Sequence, residues 1–115
     1  MIMLPEINRL KKKKDFERVL KKGKGYKEDF LYLKIIRNNL KNSRFGFIVS
    51  NKFSKKAVVR NKIKRRLKSL TKIKLSRIEK GIDGVIIVRP GLEINDFWEL
   101  EEKINKLFEK AKIIK

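Results

Sequence analysis

The spacing of apolar residues changes several times along the chain, and each change predicts an element. Phe16, Val19 and Leu20 stand at i, i+3 and i+4, one face of a helix. Asp15 and Glu17 open that segment, Lys21 and Lys22 close it and Gly23 follows, an order that suits the helix dipole and a glycine stop. Around Tyr26 the pattern allows a short edge strand. Phe30-Leu-Tyr-Leu-Lys-Ile-Ile-Arg37 reads as a strand, being rich in aromatic and β-branched side chains and bounded by Asn38-Asn39. Residues 38–43 read as a hairpin loop and Arg44-Phe-Gly-Phe-Ile-Val-Ser50 as the returning strand. Gly46 inside it predicts a bulge or a close backbone approach. From Ala57 the helical period returns, placing Val59, Ile63, Leu67, Leu70 and Ile73 on one stripe at about 100° per residue. Val85-Ile-Ile-Val88 is continuously apolar, as expected of a strand covered on both faces, and Arg89-Pro90-Gly91 stops it. Asp96 with Glu99 has capping-box spacing. Phe97, Leu100, Ile104, Leu107, Phe108 and Ala111 then mark the buried stripe of a last helix, with Trp98 at its margin.

The order helix, strands, helix, strand, helix predicts an α+β fold, one layer of sheet with helices packed against it. The 115 residues suit a single domain, with residues 1–8 as an extended lead-in. If the strands flanking the second helix are parallel, the general rule gives a right-handed crossover.

Charge sharpens this picture. The chain carries 33 Lys and Arg against 13 Asp and Glu, a net +20, with pI about 10.4. From Phe30 to Ile78 there is no acid at all. Cationic helices are ordinarily laced with carboxylates, and a solvated cationic face is the usual fate of a Lys-rich helix. Here Arg60, Asn61, Lys64, Arg65 and Lys68 lie opposite the apolar stripe with nothing to neutralise them, while Lys62 flanks the stripe and Arg66 lies at its margin. Guanidinium forks match phosphate oxygens, and Asn both donates and accepts, so this face suits a polyanion.

A membrane is the other general counter-charge, and the sequence argues against it. No apolar run approaches the ~20 residues of a spanning helix. The N-terminus does not read as a signal peptide, and no lipidation motif is present. Cysteine and histidine are both absent, which excludes disulfides, thiolate metal sites and His-based acid–base chemistry. Asp15 and Glu17 point to different sides of a helix, and Glu28 and Asp29 are neighbours in a loop, so all four read as ordinary surface acids rather than a metal centre. Six of the thirteen acids lie between Glu93 and Glu109, making the last helix the side expected to stay clear of nucleic acid.

The segment Ala57-Val-Val-Arg-Asn-Lys-Ile-Lys-Arg-Arg-Leu-Lys68 resembles the signature helix of the protein subunit of bacterial ribonuclease P. Arg44-Phe-Gly-Phe-Ile-Val-Ser50, Asp15-Phe-Glu-Arg-Val-Leu-Lys-Lys-Gly23 and Asp83-Gly-Val-Ile-Ile-Val-Arg-Pro90 resemble further segments of that family, in its order and at nearly its spacing. The likeness runs from about Arg9 to Ala111. It implies an αβββαβα, ribosomal-protein-like RNA-binding fold whose βαβ crossover is left-handed, against the general rule. It implies a subunit that binds a catalytic RNA and the 5′ leader of precursor transfer RNA, while the RNA carries the active site and its Mg²⁺. Arg60, Asn61, Lys62, Lys64, Arg65 and Lys68 are then expected to bind the RNA subunit. Phe16, Leu20 and Lys52 are expected at the leader, where an aromatic ring can stack on a base. The family often has a second aromatic at the position of Leu20, which offers no ring, and this chain's 51–56 loop departs from the family's by about one residue. The protein is expected to have no catalytic residue, no metal site and no obligate protein partner of its own, and to be cytoplasmic.

Three other readings compete. A structural ribosomal protein would be equally basic, and only the ordered motifs speak against it. A major-groove DNA reader needs base-reading side chains at the start of its helix, where Ala57-Val58-Val59 stand. A stand-alone nuclease lacks histidine and a carboxylate cluster.

Overall fold

The computed structural model of the protein describes residues 4–90 and 97–114, with the side chains of the last helix from Glu99 onward. Four strands form one sheet: β1 (Lys24–Glu28), β2 (Leu31–Arg37), β3 (Arg44–Val49) and β4 (Ile82–Val88), in the spatial order β1-β2-β4-β3. Three α-helices pack on it: α1 (Lys13–Lys22), α2 (Ala57–Lys74) and α3 (Phe97–Lys110). The element order is the expected αβββαβα.

The last strand in sequence sits inside the sheet. β4 runs antiparallel to β2, from Leu31 opposite Val88 to Arg37 opposite Ile82. It runs parallel to β3, from Arg44 opposite Asp83 to Val49 opposite Val88. This corrects the hairpin expected across residues 38–43, because β2 and β3 do not pair and β4 lies between them. The reason is in β4 itself. Its apolar residues alternate onto both faces, so it gains most from a place where both faces are covered. The more polar β1 is left at one edge.

Pleating sorts the side chains onto two faces. On one face Leu31, Leu33, Phe45, Phe47, Ile86 and Val88 meet Ile63, Leu67 and Leu70 of α2 and Leu100, Ile104, Leu107 and Phe108 of α3. On the other, α1 lays Val19 over Val85, flanked by Phe16, Leu20, Ile36, Ile48 and Ile87. The last-helix stripe is buried as expected from Leu100 to Ala111. The expected cap at Asp96 lies outside the described residues, as do the side chains of Phe97 and Trp98.

The stripe of α2 needs one correction. Ile63, Leu67 and Leu70 are buried, but Ile73 is 58% exposed, and Thr71 and Lys74 are buried in its stead. At about 100° per residue Lys74 stands only about 20° from Ile63 on the helix, whereas Ile73 stands about 80° away. Geometry overrides hydropathy there. The Lys74 ammonium reaches Glu101 of α3 at 3.5 Å.

The lead-in is more than an extended tail. Residues 6–8 form a 3₁₀ turn, Leu4 is buried in the main core, and the Leu10 N–H donates to the Phe45 carbonyl at 3.0 Å. Residues 4–10 thus strap the otherwise free edge of β3. Gly23 ends α1 with φ −71°, in extended backbone rather than the left-handed region. Glycine is required there because a Cβ would collide with the Val19 carbonyl oxygen.

Candidate nucleic-acid interface

α2 begins without an acid in its first turn and without a side-chain cap, so its first N–H groups and its cations act together. Val58, Asn61, Lys64, Arg65 and Lys68 line a shallow hollow of about 460 Å³ along its outer side. Among the described residues no carboxylate pairs with Lys64, Arg65 or Lys68. Arg60 is half-buried and donates from Nη1 to the Ser54 carbonyl at 2.8 Å, which fixes the loop before α2 while leaving the rest of its fork available. Asn61 and Lys62 are exposed beside it.

The second expected site lies against the first. The rim of the Phe16 ring sits on Gly46 of β3, so close that a Cβ there would overlap its Cζ and Cε1. The close approach expected at Gly46 is therefore made by a side chain from α1. Phe16 then faces a cavity of about 310 Å³ beneath the strap, whose wall includes Arg9, Lys11, Lys64 and Lys68. Lys64 and Lys68 border both concavities and join them into one surface. The bland expectation for Phe16, a core-facing ring, is also met in part, since it is half-buried against Leu10, Val19 and Val85. Leu20 is half-buried in the same apolar group, and its carbonyl accepts from Lys34 Nζ at 2.7 Å. Lys52 is exposed in the loop after β3 and lines neither concavity. The fold thus brings Phe16 to Lys64 and Lys68.

Two groups of residues went unnoticed in the sequence. Arg9 and Lys11 join the site only because the strap runs along β3. Tyr32 lies on the α1 face of the sheet, opposite Ile87 of β4. The Arg89 guanidinium stands 4.3 Å from its ring centroid and the Lys27 ammonium 5.6 Å. Cation–aromatic stacking of this kind prepares a flat, positively charged platform. The alternation of Leu31, Tyr32 and Leu33 carried the signal, but which face was which depended on knowing that Leu31 and Leu33 meet Val88 and Ile86.

One buried carboxylate sets the angle of α1. Asp83 of β4 is fully buried and accepts from Arg18 Nη2 at 2.6 Å, Arg44 Nε at 2.9 Å and Nη2 at 2.6 Å, and Asn38 Nδ2 at 2.8 Å. Burial pushes its carboxyl up, but the hydrogen bonds from Arg44 and Asn38 and the charges of Arg44 and Arg18 together hold it below the ordinary carboxylate value. The same hydrogen bonding raises the Arg44 guanidinium, against the burial that lowers it. Asp15 adds a second carboxylate 3.5 Å from Arg44, so it is not the idle surface acid expected of it. Arg18 lies two residues after Phe16, so its bond to Asp83 holds that ring in place over Gly46.

Glu6 of the strap pairs with Lys11 at 2.5 Å and Glu79 with Arg37 at 2.9 Å, and a further group of acids is spent on the far flank. Lys103 pairs with Asp29, Lys106 with Glu102 at 3.6 Å, and Lys110 with Glu28 at 2.5 Å. The hydrogen bond from Lys103 is also the main reason the Asp29 carboxyl is held low. Among the described residues no three His, Cys, Asp or Glu side chains come together to hold a metal ion, and no helix is long and apolar enough to cross a membrane.

Comparison with known proteins gives one answer. The family model described as Ribonuclease P matches residues 4–112. The chain is 36% identical over 113 residues to the ribonuclease P protein component of a Pseudanabaena strain, covering 97% of each. It is 37% identical over 117 residues to that of Dictyoglomus turgidum, covering 100% of this chain and 98% of the relative. Among solved structures, the RNase P protein from Thermotoga maritima superposes with TM-score 0.80 at 34% identity, covering 89% of this chain and 96% of that one. The Staphylococcus aureus RNase P protein superposes with TM-score 0.84 at 28% identity, covering 94% and 98%. The ribosomal-protein reading finds no support among them. A cationic α2, a ring-bearing α1 and this family match lead to the same conclusion: the chain belongs to the bacterial ribonuclease P protein family, the small basic subunit of a transfer-RNA-processing endoribonuclease that works together with ribonuclease P RNA.

Proposed function

We propose that the joined surface divides its work between two RNAs. Arg60, Asn61, Lys62, Lys64, Arg65 and Lys68 hold phosphates and sugars of ribonuclease P RNA. Phe16 and the Tyr32–Arg89 platform receive the single-stranded 5′ leader of precursor transfer RNA, with Leu20 as apolar floor and Lys52 as a peripheral cation. The observation that carries this reading is the shared wall. Lys64 and Lys68 face the α2 hollow on one side and the Phe16 cavity on the other. A leader lying against Phe16 is therefore held beside the bound ribozyme.

The chemistry of this protein is binding and orientation. A scissile phosphate needs its neighbours fixed, and fixing them supplies a large share of a barrier that is otherwise entropic. Mg²⁺ would supply charge stabilisation at the phosphate. The side chains here do not fit a resident Mg²⁺, because the described residues bring no carboxylate cluster together and Asp83 is consumed by arginines. We assign the ion to phosphates of the RNA subunit. The cell compartment in keeping with this role is the cytoplasm.

The test is reconstitution with a bacterial ribonuclease P RNA at low Mg²⁺, followed by precursor cleavage. Phe16→Ala is expected to weaken binding of precursor but not of mature transfer RNA, and to leave ribonuclease P RNA affinity intact. Equal loss for precursor and mature forms would remove Phe16 from the leader site.

A further inference from the structure

The cationic row of α2 continues past Lys68. Lys72 lies one turn further on the same side, about 6 Å along the axis at ~1.5 Å per residue. It stands at the mouth of a separate hollow of about 390 Å³. Besides Lys72, the walls of this hollow come from four parts of the chain. Asn8 belongs to the strap, Asn42 and Ser43 to the loop before β3, Leu75 and Ser76 to the 3₁₀ turn that ends α2, and Ile78 and Lys80 to the approach to β4.

The interior has a specific chemistry. Leu75 and Ile78 give an apolar wall. Asn8 is only 7% exposed, and its Nδ2 donates to the Ser43 carbonyl at 2.7 Å. That bond orients the amide and leaves Oδ1 with no donor among the described residues. The hollow is therefore lined by an amide whose orientation is fixed. Lys72 and Lys80 are exposed at the rim, and among the described residues no carboxylate pairs with either.

We propose that this hollow binds one unpaired nucleotide of the RNA subunit, base inward and phosphate outward. The proposal rests on the reading of ribonuclease P RNA as partner. The volume lies at the small end of the ~300–1,000 Å³ typical of ligand clefts, suited to one base rather than a paired segment. RNA offers such bases in loops and bulges, where they can be splayed out and read along their edges. Asn8 Oδ1 accepts the exocyclic amino group of adenine or cytosine. The C-terminus of α2 is the negative end of its dipole, which favours a donor edge inside the hollow and disfavours a phosphate there. The phosphate is held at the rim, between Lys72 and Lys80, in line with the phosphates bound at Arg65 and Lys68.

The experiment uses the full-length protein and a bacterial ribonuclease P RNA transcript. Affinity is measured over a range of salt, and dimethyl sulfate reports which adenines and cytosines the protein shields. Lys72→Ala with Lys80→Ala is expected to lower affinity roughly tenfold and to reduce the salt slope by about two. Ser76→Trp, an exposed position whose new ring fills the hollow, is expected to re-expose a single adenine or cytosine while all other protections persist. Circular dichroism confirms that both variants fold. Unchanged affinity and salt slope in the lysine pair would overturn the site. Lost affinity with no base re-exposed by Ser76→Trp would show backbone contact only and overturn nucleotide capture. If the unmodified protein fails to bind the transcript, the partner reading falls and this site falls with it; if it binds and the variants match it, the site alone falls.

Discussion

α2 and α3 are built alike on the inside and opposite on the outside. Both lay an apolar stripe on the same face of the sheet, Ile63, Leu67 and Leu70 from one and Leu100, Ile104 and Leu107 from the other. α2 carries eight cations and no acid over 18 residues, whereas α3 carries three lysines and four glutamates over 14. Every lysine of α3 pairs with a carboxylate. On α2, Lys74 has Glu101, and Lys64, Arg65, Lys68 and Lys72 have none among the described residues. The difference shows that a binding face is made by withholding counter-charge as much as by supplying charge. Acids that could have quenched α2 are spent on α3, on Lys11 and Arg37, or on the arginines around Asp83.

The largest effect is expected where that arrangement rests on one carboxylate. Asp83→Asn leaves Arg18 without its anion and Arg44 with only Asp15 at 3.5 Å, and breaking a buried pair of this kind costs about 3–5 kcal/mol. Hydrogen exchange should rise in α1 first and in α3 last, which would confirm that Asp83 serves the binding side. The carboxyl of Asp83 is held below its unfolded value of about 3.9, so its contribution is fully present above that pH and is lost as pH falls through the folded value. Unfolding followed from pH 5 to pH 2 should show an acid-labile component that Asp83→Asn removes.

Gly46→Ala comes next. A Cβ against the Phe16 ring forces α1 outward, at about 1–3 kcal/mol for an overpacked contact. Calorimetry gives the stability loss, and leader binding should weaken more than RNA-subunit binding. Arg65→Ala should lower affinity for ribonuclease P RNA by about tenfold with a salt slope smaller by about one, and leave stability unchanged. If it does neither, the contrast between the helices has no functional meaning. The smallest effect belongs to α3. Lys106→Ala, removing an exposed pair with Glu102, should change stability by less than about 0.5 kcal/mol and RNA affinity not at all.

The elements were legible because period-3.6 and period-2 patterns are local. So were the cations of α2, because the acid-free run from Phe30 to Ile78 is a property of composition. Ile73 was misread because a stripe assigned by hydropathy ignores the slow rotation of the helix against its sheet. The hairpin at 38–43 was misread because strand adjacency is not a local property, and β4 arrives later in the chain to claim the central place. Tyr32, Arg9 and Lys11 were missed for the same reason, since each joins the site through β4 or along β3.

The sequence alone therefore determined the kind of partner, since charge left without neighbours in the chain must find them outside it. Tertiary structure alone decided where that partner meets the protein. It placed Phe16 on Gly46, made Lys64 and Lys68 a common wall, and spent Asp83 on two arginines. Those contacts join residues tens of positions apart, and their geometry is fixed by sheet order and packing, which no run of neighbouring residues encodes.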